Sequence, residues 1–197
     1  LEDPVFDAQV NILDTVRLLA AAVTAGVERI VFASSAAVSG DPEEIPTPED
    51  APLAPLSPYG VGKLAGEGYL SFFARRHGLA GVALRFANVD GPRQESVGEA
   101  GVVAVFCQRL LAGEAVTIHG DGRQTRDFVY VDDVARACIL ALTAPTGVYN
   151  VATGVETDVR TLFARLAAAL RPGSLPVHGP AVAAEPRRSA LETSRAE

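Results

Sequence analysis

Arg29-Ile-Val-Phe-Ala-Ser-Ser35 is the stretch on which the reading of the fold turns. The run RIVFA, Arg29 to Ala33, fits a strand buried on both faces, as in a parallel sheet, and it closes in the small polar pair Ser34 and Ser35. The polar ends of such strands face ligand. Upstream, Asp7 to Thr24 carries Val10, Leu13, Val16, Leu19 and Val23 at helical spacing, with Gly26 as the stop. Downstream, Pro42, Pro46, Pro48, Pro52 and Pro55 exclude helix and central strand between Gly40 and Pro58 and predict an ordered loop or lid. A helix over Pro58 to His77, a strand over Gly81 to Phe86 (GVALRF) and a loop over Ala87 to Gly98 follow. Helix, strand and loop alternate, which is the pattern of a parallel α/β sheet.

Beyond Gly101 the rhythm changes. The spacing predicts a helix to Leu111, short strands near Val116 to Ile118 and Asp127 to Val131, and a helix from Asp132 to Leu142. A strand at Val148 to Val151, a helix from Asp158 to Leu170 and a proline-rich tail bearing arginines complete the chain. These elements are expected to form a smaller lobe. Asp132 and Asp133 open a helix, where carboxylates cap and favour the dipole.

The chain has 197 residues, 48% of them apolar, enough for a core as one domain or a domain plus a lobe. Its net charge of −7 and the absence of any Lys/Arg run argue against nucleic acid or an anionic membrane as the main partner. A small anionic ligand remains compatible, since a few placed arginines hold a phosphate. Cys107 and Cys138 sit in expected helices without metal-ligand spacing and read as buried thiols. His77, His119 and His178 are dispersed, so no metal site is expected. No apolar run reaches the ~20 residues of a membrane span and no basic-then-apolar leader opens the sequence, which points to the cytoplasm. Because the sequence opens on Leu1 and contains no Met, we read it as an internal piece of a longer protein.

Tyr59-Gly-Val-Gly-Lys63 puts a phenol and an ammonium four residues apart, on one face of the helix beginning near Pro58. A phenol near pKa ~10 is a poor base at neutral pH, but a nearby cation favours the phenolate. Bringing it to ~7 takes about 4 kcal/mol of differential stabilisation. Ser35, at the end of the preceding strand, could hydrogen-bond the same substrate oxygen. Alone, the Tyr/Lys spacing also suits a solvated helix face. Joined to the strand ending in Ser-Ser and to the proline-rich loop, it favours a reactive centre.

VERIVFASSAAVSGDPEEIPTPED, SPYGVGKLAGE, ALRFANVDGPR, GDGRQTRDFVYVDDVARA and GVYNVATG, in that order, resemble successive motifs of the extended short-chain dehydrogenases. The likeness is to the NAD-dependent epimerase/dehydratase group, UDP-glucose 4-epimerase-like proteins in particular, and covers nearly the whole chain. It implies an α/β fold: the C-terminal part of a doubly wound, Rossmann-like parallel sheet plus a small α/β substrate-binding lobe. Residues 1–87 would be the remainder of a dinucleotide-binding domain. Residues 88–197 would be mainly the substrate lobe, with segments returning to the first domain.

By this resemblance Ser35, Tyr59 and Lys63 match the catalytic Ser, Tyr and Lys, with NAD as cofactor. Asn11, Ala33, Ser34 and Phe86, together with Tyr59 and Lys63, fall on the cofactor side. Asn88 and Arg126 match the asparagine and arginine that hold a sugar-nucleotide diphosphate. Val116 to His119 matches the strand cradling the nucleotide base, with His119 where relatives often carry Phe. Val182 stands where a diphosphate-binding arginine is common, leaving Arg187 or Arg188 as its replacement. The resemblance also implies a homodimer through a four-helix bundle built on the helices at Asp7 to Thr24 and Pro58 to His77.

Some positions depart from the family pattern. The glycine-rich phosphate loop is absent, and GDGRQ around Gly120 precedes a strand and does not replace it. Ser39 and Asp90 stand where tyrosines are usual. Ala36 and Ala37 follow Ser35 where sugar 4,6-dehydratases carry an acid, which favours simple redox at C4. Ser189 is small where small size goes with room for an N-acetylated sugar. The expected activity is therefore 4-epimerisation of UDP-glucose and UDP-galactose, or their N-acetyl forms. A non-catalytic truncated paralogue binding a sugar nucleotide or a partner, and a 4-ketosugar reductase using NAD(P)H, are the alternatives.

Overall fold

The computed structural model describes residues 3–95, 101–181 and 186–196. Helix α1 (Pro4–Ala8) runs through one wide turn, Gln9–Leu13, into α2 (Asp14–Thr24), and β1 (Arg29–Ser35) follows. After the tight turn Ala36–Val38 and the proline-rich loop come α3 (Pro58–His77), β2 (Ala80–Phe86), β3 (Asn88–Asp90) and α4 (Val102–Ala112). The remainder is β4 (Thr117–His119), β5 (Thr125–Arg126), β6 (Phe128–Tyr130), α5 (Val131–Leu140), β7 (Gly147–Val151), β8 (Thr157–Asp158), α6 (Val159–Leu170) and β9 (Val177–Gly179).

Local chemistry sets the element ends. The first helix starts at Pro4 rather than at Asp7, because the Asp3 carboxylate accepts from the backbone N–H groups of Val5 and Phe6. Ser57 caps α3 in the same way through Gly60 N–H, with Pro58 in the first turn. Gly78, at φ 70°, ends α3 in the left-handed conformation that a side chain would disfavour. Asp158 caps α6 through Thr161 N–H.

Strands β1, β2 and β7 form a parallel sheet in that order. The register sets Ser35 beside Phe86 and Phe86 beside Val151, so the carboxyl ends of all three strands are level. Alternation along β2 sends Ala83 to one face, against Leu19 and Ala22 of α2 and Leu70 and Phe73 of α3. Val82 and Leu84 go to the other, against Val129 of β6 and Val134 of α5. Helices on both faces of a parallel sheet are the doubly wound arrangement. A further core unites Phe106 and Leu110 of α4, Val116 and Ile118, and Val159, Leu162, Phe163 and Ala167 of α6. β7 returns from this part of the chain to the main sheet.

Four pairings were not foreseen from the sequence, the antiparallel one of β5 with β8 among them. β3, inside the expected loop after Phe86, pairs in parallel with β6. β4 pairs with β9, a strand within the tail. Thr47 of the proline-rich loop makes a bridge with Leu191 near the chain's end. The cysteines are half-buried rather than buried.

Candidate active site

The site forms where α3 lies closest to the end of β1. Glycines allow the approach: a Cβ on Gly60 would meet the Ala37 carbonyl oxygen, one on Gly62 the Asn11 side chain, and one on Gly66 the Phe32 ring. The helix residues facing the strand end are then Tyr59 and Lys63, one turn apart. The Lys63 ammonium donates to the Ala33 carbonyl at 2.9 Å and stands over the Tyr59 ring, 5.4 Å from its centroid. It also lies 5.3 Å from the centroid of Phe32. The Tyr59 side of this cluster is open, since that residue is 39% exposed and reachable by a ligand. Burial strips water from the ammonium and pushes the Lys63 pKa down, and the negative charge of Asp7 works against that shift. Ser35 Oγ accepts from Ala37 N–H at 3.2 Å, which fixes the hydroxyl at the mouth of the sheet. Neither Ala36 nor Ala37 supplies a carboxyl there.

Lys63 is the only lysine in the 197 residues, beside sixteen arginines. Arginine serves every other fixed cationic position; here a compact ammonium on one carbonyl, under a phenol ring, is not interchangeable with a planar guanidinium fork. That count was a sequence signal the motif reading did not use.

Asn11 lies in the wide turn Gln9–Leu13, packed on Gly62. Ala33 is exposed, and Phe86 is half-buried at the level end of β2. Ser34 falls differently: it is 1% exposed and its hydroxyl donates to Glu67 at 2.5 Å, so its side chain serves the interior. Glu67 in turn receives a two-pronged bond from Arg85, Nε to Oε1 at 2.9 Å and Nη2 to Oε2 at 2.8 Å. An arginine inside the otherwise apolar strand GVALRF was the available signal for this buried pair.

A second cluster lines an open cleft of about 250 Å³ bounded by His119, Asp121, Gln124, Pro186 and Arg187. Arg187 pairs with Asp121 at 3.1 Å, and His119 Nδ1 lies 3.1 Å from the Pro180 carbonyl oxygen. Arg126 donates to the carbonyl oxygens of Thr125 and Pro186, which ties β5 to the cleft wall. Asn88 is exposed two residues beyond Phe86, its backbone N–H held by the Asp127 carbonyl at 2.9 Å. Asp127 is fully buried and accepts from Thr153 N–H and hydroxyl, Gly154 N–H and Leu191 N–H. Arg188 pairs with Glu156 rather than with the cleft.

Val116 is 1% exposed within a hydrophobic core and its carbonyl accepts from Val177 N–H, so its side chain cannot meet a ligand. The cleft is met instead by His119, at the other end of β4. Val182 lies outside the described residues. Of the two usual tyrosine positions, Ser39 is buried and Asp90 lines a separate cleft with Gln94 and Cys107, where burial pushes its carboxyl pKa up. Among the described residues no three His, Cys, Asp or Glu side chains converge.

A model of the NAD dependent epimerase/dehydratase family matches residues 1–152. The chain belongs to that family. Among its relatives, the UDP-glucose 4-epimerase of Mycolicibacterium smegmatis is 46% identical over all of this chain and 64% of its own length. The structure of this family member also superposes on the Thermotoga maritima UDP-glucose 4-epimerase with UDP-glucose, at 42% identity and a TM-score of 0.96. That match covers 99% of this chain and 64% of that one. The Thermus thermophilus UDP-glucose 4-epimerase complex with NAD matches at 43% identity and a TM-score of 0.91, over 98% and 65% of the two chains. This family member therefore spans a little under two thirds of the length of these relatives.

Proposed function

We propose that this chain supplies the catalytic and sugar-nucleotide-binding portion of a UDP-sugar 4-epimerase that works through transient oxidation at C4. The observation that carries the reading is the Lys63 ammonium, held on the Ala33 carbonyl and over the exposed Tyr59 ring, beside Ser35. Relatives at 42 to 46% identity that are UDP-glucose 4-epimerases support it.

The residues present fit the nicotinamide-ribose end of NAD. The Lys63 ammonium carries three donors and gives one to Ala33, leaving donors for ribose hydroxyls. Exposed Ala33 and Phe86 lie toward the level strand ends, where ligands of such sheets bind, and Asn11 packs on Gly62 beside Lys63 in α3. The glycine-rich pyrophosphate loop is not in this sequence. When bound, NAD supplies a reversible acceptor for the hydride of C4.

Tyr59 takes the proton of the 4-hydroxyl and returns it to the same oxygen, so no net proton leaves the site. Lys63 stabilises the phenolate between those two moments, and Ser35 orients the oxygen by hydrogen bonding. Asn88, Arg126 and Arg187 hold the diphosphate, so the sugar can turn over while its anchor stays fixed. With alanines at 36 and 37 no side chain there can exchange the C5 proton, which favours epimerisation over dehydration. Half-buried Ser189 leaves the N-acetylated sugars as candidate substrates beside UDP-glucose and UDP-galactose.

The test is interconversion of UDP-glucose and UDP-galactose, and of their N-acetyl forms, by the longest protein the gene encodes, with and without Tyr59→Phe. Turnover in both directions, no net cofactor oxidation, and loss of turnover in the variant are expected. Undiminished activity of Tyr59→Phe would sink the mechanism, and stoichiometric cofactor oxidation would make the protein a ketosugar reductase.

The quaternary partner we propose is a second copy. Phe6 on α1, Val10 and Leu13 in the wide turn that continues it, and Val61, Tyr69 and Phe72 on α3 recur at helical spacing and are exposed. Two copies would bury both stripes in a four-helix bundle. Val61→Asp with Phe72→Asp should convert a dimer to a monomer in light scattering; an unchanged mass would refute the interface. No helix among the described residues is long and apolar enough to cross a membrane. The cytoplasm is the compartment this reading implies.

A further inference from the structure

We propose that Glu67 is a positioning residue for the catalytic pair: gripped by Arg85 and Ser34, its carboxylate sets the register of α3 on β1. In doing so it holds the Lys63 ammonium at the Ala33 carbonyl, beside the Tyr59 ring.

Tyr59, Lys63 and Glu67 are spaced four apart and form one stripe down α3. Two of them bond consecutive strand residues, Lys63 to Ala33 and Glu67 to Ser34, and Ser35 is the next residue of that strand. Between these contacts the helix presents Gly60, Gly62 and Gly66 to its neighbours. Glycines let the helix come close but give it nothing to interlock with, so closeness alone does not fix how far it slides along the strand. Glu67 is the side chain that does. Its carboxylate makes three bonds of 2.5 to 2.9 Å, to Ser34 on β1 and Arg85 on β2, and both partners of the ion pair are less than a tenth exposed. A pair buried so deeply adds little net stability compared with apolar side chains of the same size. Its contribution here is direction.

The grip extends to the substrate side. Arg85 Nη1 donates to the Glu49 carbonyl at 2.9 Å, and the Glu49 carboxylate accepts from Asn150 N–H at 2.9 Å. The Asn150 amide reaches the Thr47 and Glu192 carbonyls at 3.0 and 2.9 Å. One chain of bonds thus joins the catalytic helix, the proline-rich loop, β7 and the tail that carries Arg187.

The inference rests on the epimerase reading only for its kinetic readout. The test is a charge-free swap, Glu67→Met with Arg85→Met, in the longest protein the gene encodes, compared with Arg85→Lys, which keeps the pair. The first readout needs no turnover: the rate of Lys63 acylation against pH, by peptide mapping. Asp7 and the Tyr59 phenol, which face Lys63, are unchanged in both variants, and the swap is neutral in net charge. In the folded double variant the Lys63 titration should move up toward that of an ordinary lysine, whereas Arg85→Lys should keep the parent's titration. The second readout is kinetic: kcat should fall about 10-fold or more and its acid limb move to higher pH, while KM for the UDP-sugar stays within about 2-fold. A folded double variant with the parent's Lys63 titration and kcat profile overturns the proposal. If the swap does not fold, Ser34→Ala takes its place and should shift the Lys63 titration in the same direction; no shift overturns the proposal. A protein without epimerase activity whose Lys63 titration still moves would sink the epimerase reading and leave this inference standing.

Discussion

Replacing Gly60 by alanine adds one methyl group at the point where α3 touches the turn after Ser35. That methyl would lie 2.6 Å from the Ala37 carbonyl oxygen and 2.9 Å from Cβ of Pro55. The first distance falls about 0.8 Å short of ordinary contact, and backbone and proline have no flexible end to swing away. The start of α3 must therefore move outward by most of an ångström, carrying Tyr59 away from Ser35. Alanine is the better helix former by about 1 kcal/mol, whereas overpacking costs about 1–3 kcal/mol. The expected net loss is up to about 2 kcal/mol, or a Tm lower by up to about 8 °C. Activity should suffer more, because a misplacement near 1 Å at a reacting group costs up to about 100-fold. kcat should fall about 10- to 100-fold with KM little changed, since Asn88, Arg126 and Arg187 belong to other elements. Gly68 on the same helix is the control, for a Cβ there meets nothing within 4 Å. Gly68→Ala, remote from the Ala37 turn, should leave kcat alone. Scanning calorimetry and steady-state epimerase kinetics on the pair decide the matter. A Gly60→Ala protein that behaves like Gly68→Ala would refute the claim that glycine contact sets the Tyr59 position.

Two further outcomes follow from other parts of the site. Asp127→Asn sets an amide donor among the four donors that its fully buried carboxylate now satisfies, and should cost about 2–4 kcal/mol in denaturant unfolding; a loss below about 1 kcal/mol would refute that account. The tail pairs respond to acid. Hydrogen bonds from Arg123 N–H and then Arg187 hold the Asp121 carboxyl below its ordinary pKa, and a bond from Arg188 does the same most strongly for Glu156. Folded values below the unfolded ones mean that these contacts stabilise above the ordinary carboxylate range and are lost as pH falls through the depressed values. Backbone hydrogen exchange around Arg187 and Arg188, corrected for its intrinsic pH dependence, should therefore accelerate below about pH 4, and constant protection down to pH 2 would contradict the assignment.

The main sheet and its helices were legible because their signals are local. RIVFASS, GVALRF and GVYNV are apolar runs of strand length, and Ser57-Pro58 and Gly78 mark the two ends of α3 in the sequence itself. The pairing of Tyr59 with Lys63 was legible through its spacing, since a four-residue interval fixes a helix face before any tertiary contact is known. What stayed hidden depends on pairing at a distance. β3 and β9 are three residues each and form only because β6 and β4 lie beside them, so no window of sequence carries their signal. The burial of Val116 stayed hidden because a short strand does not reveal which of its side chains faces the core. The bond of Ser34 to Glu67 stayed hidden because a serine at a strand end does not announce a glutamate 33 residues on.

The bridge between Thr47 and Leu191 bears on when the site comes into being. Thr47 N–H is held by the Ala190 carbonyl at 2.8 Å, and Asn150 bonds Thr47 and Glu192 together, across sequence separations of 103 and 42 residues. Contacts that close such long loops form only after shorter-range structure has reduced their entropic cost. A chain emerging from the ribosome can fold α3 onto β1 and β2 long before residue 190 exists. The proline-rich loop and the arginine-bearing tail must wait for each other, so the Tyr59 and Lys63 helix and the cleft at Arg187 mature in sequence. Deleting the residues from Ala190 onward should therefore leave the Tyr59 and Lys63 helix folded while abolishing the grip on the nucleotide.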